Sequence, residues 1–142
     1  MKKELDLSGQ WQLKPVERFD GNYQASTWFC QTLPGHWQEL EPLKNYSGRV
    51  VYQRAFNFFP DKNKRYWLKL NGVFYWCAVY LNGLRIGANQ GYFFPAYFEI
   101  TEMLKPGENQ LLLEVFCFNE ENKLKKKQIL GVWHHWDCLY PD

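Results

Sequence analysis

Between Val79 and Gly87 the chain reads Val79-Tyr80-Leu81-Asn82-Gly83-Leu84-Arg85-Ile86-Gly87, two apolar runs on either side of an Asn-Gly pair. Asn and Gly both tolerate positive φ, which a two-residue hairpin turn requires, so the spacing predicts a tight β-hairpin. Next come Gly91-Tyr92-Phe93-Phe94-Pro95-Ala96-Tyr97-Phe98-Glu99-Ile100-Thr101 and Leu104-Lys105-Pro106-Gly107-Glu108-Asn109. The Pro-Gly pair marks a second turn, which feeds the apolar run Gln110-Leu111-Leu112-Leu113-Glu114-Val115. Between the two turns, Phe98, Ile100 and Leu104 can seat a short strand and a turn on a core.

Further strands are expected on both sides. Gly48 to Phe59 is the longest, with Tyr52, Arg54, Phe56 and Phe58 on one face and Val51, Gln53, Ala55 and Asn57 on the other. Arg65 to Leu70 reads as a strand with Leu68 and Leu70 inward. Leu5 to Leu13 opens the chain as a first strand, and Trp28 to Leu33 is a short one that Pro34-Gly35 ends. Lys14 to Thr27 and Glu39 to Tyr46 read as loops. Asn109 to Phe118 places Leu111, Leu113, Val115 and Cys117 on one face. Leu112, Glu114, Phe116 and Phe118 take the other, and Glu114 marks that side as the more exposed. A charged loop from Asn119 to Gln128 precedes a final strand from Ile129 to Leu139. No segment carries a convincing helical period. Many short strands with turn punctuation give an all-β chain of two packed antiparallel sheets.

At 142 residues the chain is expected to be one domain, residues 1–142. That length buries roughly two-thirds of the surface an unfolded chain exposes. Aromatics make up 19%, which suits a β-rich core with a surplus for ligand stacking. A net charge of +2 is too mild to argue for nucleic acid or an anionic membrane. The start, Met1-Lys2-Lys3-Glu4-Leu5-Asp6, lacks the apolar core of a signal peptide, and no run approaches the ~20 apolar residues of a membrane helix. Cys30, Cys77, Cys117 and Cys138 are widely spaced in apolar stretches, so buried thiols in a reducing, cytoplasmic setting are expected.

Taken together, the phrases Val79-Tyr80-Leu81-Asn82-Gly83, Gly91-Tyr92 to Thr101 and Lys105-Pro106-Gly107-Glu108-Asn109 resemble the N-terminal sugar-binding-type domain of family 2 glycoside hydrolases. That group includes β-galactosidases, β-glucuronidases and β-mannosidases. Leu7-Ser8-Gly9-Gln10-Trp11, Leu33-Pro34-Gly35-His36-Trp37, Tyr52-Gln53-Arg54-Ala55-Phe56 and Gly131-Val132-Trp133 are similar to other parts of it. The resemblance spans about residues 5–139 and implies a galactose-binding-like jelly-roll β-sandwich. It also implies that catalysis lies elsewhere. Retaining glycosidases place two carboxyls about 5 Å apart, and in this family the pair sits on a (β/α)₈ barrel of roughly 250 residues. No catalytic residue, metal ligand or cofactor site is read in the present chain. Its acidic residues, among them Glu39, Glu41, Glu99, Glu102 and Glu114, are expected to be solvated or capping.

Sugars offer apolar C–H faces to aromatic rings and hydroxyls to polar side chains. Three stretches have that composition. In Asn45-Tyr46-Ser47-Gly48, Asn45 and Tyr46 are candidates; the resemblance implies that Asn45 lines the mouth of a sugar site, although residues 45–48 suit a plain turn asparagine better. In Trp133-His134-His135-Trp136-Asp137, His134 and Trp136 are candidates, while adjacent His residues on a strand face opposite ways and disfavour a shared metal. His134 stands where the family more often has Arg, so a role tied to that Arg does not transfer. In Gly91-Tyr92-Phe93-Phe94, consecutive aromatics cannot all be buried, which makes Tyr92 and Phe93 candidates for a sugar or an interface.

Three functions therefore compete. The first is a non-catalytic carbohydrate-binding-type domain that supports a catalytic domain and contributes to the rim of its sugar site. The second is a free-standing carbohydrate-binding module. The third is a structural or self-associating sandwich without a ligand. Expected partners are a β-glycoside, a glycoside hydrolase catalytic domain or a second copy, and neither nucleic acid nor membrane.

Overall fold

The computed structural model describes residues 4–24, 27–91 and 94–117. Eight strands follow one another: β1 (Gly9–Val16), β2 (Phe29–Leu33), β3 (Gly48–Phe58), β4 (Trp67–Leu70), β5 (Trp76–Leu81), β6 (Leu84–Gln90), β7 (Ala96–Glu99) and β8 (Gly107–Cys117). Six form an antiparallel sheet in the order β2-β1-β3-β8-β5-β6, and β4 pairs with β7 in a small second sheet. Between β2 and β3 lie two single 3-10 turns, Trp37–Glu39 and Glu41–Leu43. The expected all-β sandwich of two antiparallel sheets is what forms.

The β5–β6 hairpin turns at Asn82 and Gly83, whose φ values of 51° and 82° are the positive pair a two-residue turn needs. Asn82 then reaches across the fold. Its amide donates to the Met103 carbonyl and to Asn109 Oδ1, both at 2.9 Å, and its Oδ1 accepts from the Gln110 amide at 2.9 Å. Asn109 is fully buried and bonds Lys105 N and O at 3.0 and 2.8 Å. Both turns singled out in the sequence are thus joined through one asparagine pair. Each amide is satisfied, as burial demands.

Alternation along the long strands builds the core. Leu13, Val50, Tyr52, Val79, Leu81, Leu111, Leu113 and Val115 meet beneath the six-stranded sheet. Leu68 and Ile100 join them from the second layer, with Phe98 and Leu104 packed alongside. A Cβ at Gly87 would lie 3.0 Å from the Phe98 ring, so that glycine is what lets β6 pass close to β7.

Several boundaries and exposures differ from expectation. β1 runs on through Lys14, Pro15 and Val16 because these residues pair with Val51, Val50 and Arg49 of β3. β4 begins at Trp67 rather than Arg65, and β6 extends to Gln90. Cys30 is exposed on the edge strand β2, whereas Cys77 is buried and its thiol is pushed up to about 11 by desolvation. The largest correction concerns Glu114, which is 5% exposed and neither solvated nor capping. Phe19, Tyr23 and Trp28, in the connection from β1 to β2, lie against the outer face of the six-stranded sheet and cover its middle. Phe19 stacks on Trp76 at 5.8 Å, and Arg49 lies over Phe19 and Phe116. Tyr23 and Tyr80 both donate to the Glu114 carboxylate, the latter at 3.0 Å. Lys14, 4% exposed, donates to the Tyr23 carbonyl and lies 4.6 Å from the Trp28 ring. The final strand expected from Ile129 to Leu139 lies outside the described residues.

Candidate functional site

Asn45 sits in the connection from β2 to β3. His36 and Trp37 are buried at its start, and Gln31 of β2 donates from its side chain to the His36 carbonyl. Trp37 Nε1 donates to the Tyr46 carbonyl at 2.9 Å, and the Tyr46 ring meets the indole edge-on at 6.3 Å. Leu43 plugs the core below, and Tyr46 N closes a turn onto the Leu43 carbonyl at 3.0 Å. The chain then reverses at Gly48, whose φ of 140° favours glycine. Tyr46 spans that reversal: its hydroxyl donates to Arg49 O at 2.8 Å and accepts from Arg49 N at 3.2 Å. Its phenol is held above the usual range by burial.

Asn45 occupies the turn between Leu43 and Tyr46 and is exposed. Its side-chain amide bonds no described residue, so both its donor and its acceptor face outward. Tyr46 differs: its hydroxyl is committed to the backbone, and its carbonyl carries Trp37. An uncommitted amide on a braced loop can bond a hydroxyl pair of a sugar. It cannot act as nucleophile or general acid. Of the other sequence candidates, Tyr92, Phe93, His134 and Trp136 lie outside the described residues.

A concavity of about 250 Å³ opens where the covering arm leaves β1, away from Asn45, lined by Lys14, Glu17, Arg18, Asp20 and Tyr23. Its charges oppose one another, and Arg18 approaches Asp20 at 4.0 Å. Among the described residues no group of three or more His, Cys, Asp or Glu side chains gathers to hold a metal.

Sequence reasoning did not single out the outer face of the β4–β7 sheet, where Trp67 and Tyr97 are large exposed aromatics. The signal was present, because placing Leu68 and Leu70 inward turns Trp67 and Lys69 outward.

With this geometry in view, residues 39–141 match the family described as glycosyl hydrolase 2 galactose-binding domain-like. The chain belongs to that family. A β-glucuronidase of Formosa agariphila is 27% identical over 134 residues, covering 85% of this chain and 14% of that protein. A β-galactosidase of Clostridium acetobutylicum is 38% identical over 86 residues, covering 58% of this chain and 10% of its own length. Among solved structures, the Bifidobacterium dentium β-glucuronidase complexed with coumarin-3-O-glucuronide aligns with a TM-score of 0.69 at 29% identity, over 78% of this chain and 19% of that one. The chain spans a fifth or less of each of these relatives. What it matches in the glycoside hydrolases is their galactose-binding-like domain, not the catalytic one.

Proposed function

We propose that this galactose-binding-like domain acts without a catalytic carboxylate pair of its own, beside a glycoside hydrolase catalytic domain, and that Asn45 contributes to the rim of the sugar site there. The observation that carries the reading is the construction of the β2–β3 connection. Trp37, Leu43 and Tyr46 brace it from within, and one uncommitted amide is left on its surface. Bracing matters because an amide on a rigid support loses little entropy when it binds a hydroxyl. β-Glucuronides and β-galactosides are the substrate classes suggested by the names of the relatives.

A chimera tests this reading. The present domain replaces its counterpart in the Bifidobacterium dentium β-glucuronidase, and hydrolysis of p-nitrophenyl β-D-glucuronide is followed. The chimera is expected to turn over substrate, and Asn45→Ala to raise KM by about tenfold, the equivalent of one hydrogen bond, with kcat little changed. A folded but inactive chimera, or an Asn45→Ala variant with unaltered KM, would overturn the reading.

A further inference from the structure

The outer face of the β4–β7 sheet carries a chequered arrangement of side chains. Trp67 lies opposite Glu99 and Lys69 opposite Tyr97, so the two aromatics occupy one diagonal and the two charges the other. Diagonal neighbours on paired strands sit about 7–8 Å apart. The rings are 54% and 56% exposed, while Leu68 and Phe98 on the opposite face belong to the core and its lining. Neither ring is needed to close the sandwich.

The rings are nonetheless held. Arg65 lies 5.7 Å from the centre of the Trp67 ring, and its guanidinium grips Glu99 through two bonds of 2.8 Å. Thr101 Oγ1 donates to Glu99 Oε1 at 3.2 Å. The Lys69 ammonium stands 5.8 Å from the Tyr97 ring. Such fixing lowers the cost of binding, because the rings need not be ordered by the ligand.

We infer that this face is a stacking platform for a uronate-bearing oligosaccharide. Two considerations select that occupant. A protein partner would want an apolar centre depleted of charge, yet Arg65, Lys69 and Glu99 interleave with Trp67 and Tyr97, the large exposed aromatics of these two strands among the described residues. A pyranose instead has an apolar C–H face for each ring and a polar periphery for the charges between them. The sign of the free charge then chooses an acidic sugar. Glu99 is occupied by Arg65, whereas no carboxylate among the described residues lies within ion-pair distance of Lys69. Among the described residues of this face, Lys69 is therefore the cation left to meet a uronate. The class of sugar agrees with the proposed function, but the platform lies on strands rather than on the Asn45 loop and does not require a catalytic partner.

Isothermal titration calorimetry on the 142-residue chain tests it, with hyaluronan hexasaccharide as the acidic probe and chitohexaose as the neutral one. Hyaluronan is expected to bind below millimolar concentration and more tightly than chitohexaose. Trp67→Ala and Tyr97→Ala should each weaken it by about tenfold, or ~1.4 kcal/mol. Lys69→Met should remove the preference for the acidic probe. Circular dichroism melts confirm that the surface variants fold. No heat from either probe, or binding indifferent to Trp67 and Tyr97, overturns the platform. Equal binding of both probes overturns the assignment to acidic sugars. Sedimentation equilibrium supplies the last arm: a dimer lost in Trp67→Ala would make the face a contact between copies and overturn the inference. Because the chimera reads Asn45 and calorimetry reads Trp67, either idea can fail without the other.

Discussion

The two outer faces of the sandwich obey the same alternation and meet opposite fates. On the six-stranded sheet, the row from Lys14 through Val51 and Glu114 to Ala78 is buried, with Tyr23 and Trp28 of the β1–β2 connection against it. On the β4–β7 sheet, Trp67, Lys69 and Tyr97 stand in solvent. A strand pattern therefore says which residues share a face and not which face is covered. Cover comes from a connection with its own aromatic anchors, here Phe19, Tyr23 and Trp28. The covered face spends its charges on internal partners, and the open face keeps at least Lys69 available.

The sharpest way to break this contrast is Glu114→Ala. Removing the carboxylate leaves the buried Tyr23 hydroxyl and the half-buried Tyr80 hydroxyl without their acceptor and opens a void beneath the arm. A loss of about 3 kcal/mol in urea unfolding is expected. A loss below about 1 kcal/mol would mean that the arm is not a fixed cover. Phe19→Ala comes next. It deletes the ring between Trp76 and Arg49 and should cost about 1–2 kcal/mol by the same measurement.

An alkaline titration sharpens the comparison further. Burial, and then the Glu114 acceptor, push both the Tyr23 and the Tyr80 phenols above their ordinary value. The folded chain thus keeps protons that the unfolded chain releases near pH 10. Stability from these groups is complete below that pH and lost as pH rises through it, by up to ~1.4 kcal/mol per pH unit per group. Burial lowers the Lys14 value and gives a slope of opposite sign, so the informative quantity is the difference between wild type and Tyr23→Phe. The variant should show the flatter decline in Tm between pH 9 and about 11. The smallest effect belongs to the open face: Trp67→Ala should shift unfolding by less than about 0.5 kcal/mol. A larger cost would show that the ring is structural.

The parts of the fold legible in the sequence were those fixed locally. Asn82-Gly83 and Pro106-Gly107 announce their turns through backbone requirements of a few residues, and Leu111, Leu113 and Val115 face inward by simple alternation. The burial of Glu114 is not legible because its partner Tyr23 lies 91 residues away, inside a stretch whose polar composition hides two anchoring rings, Phe19 and Tyr23. Lys14 reads as loop because the stretch it opens is polar with weak periodicity, and only its pairing with Val51, 37 positions on, makes it strand. For the candidate site, the turn around Asn45 was legible from Asn-Tyr-Ser-Gly. The bracing of that turn was not, since Tyr46 binds Arg49 only because the backbone doubles back at Gly48. Trp67 could have been found, because its outward direction followed from that of Leu68.

The asparagine pair at the two turns has a consequence for how such a domain can be remodelled. Asn82 and Asn109, 27 positions apart along the chain, are bonded side chain to side chain at 2.9 Å. β6 stays in the large sheet beside β5, whereas β7 is an excursion to the second sheet, and one clasp closes the base of both. Lengthening or exchanging that excursion pulls on the clasp and not on the registers of β3, β8 and β5. The half of the proposed platform that β7 carries can thus be traded between proteins while the frame that presents it stays the same.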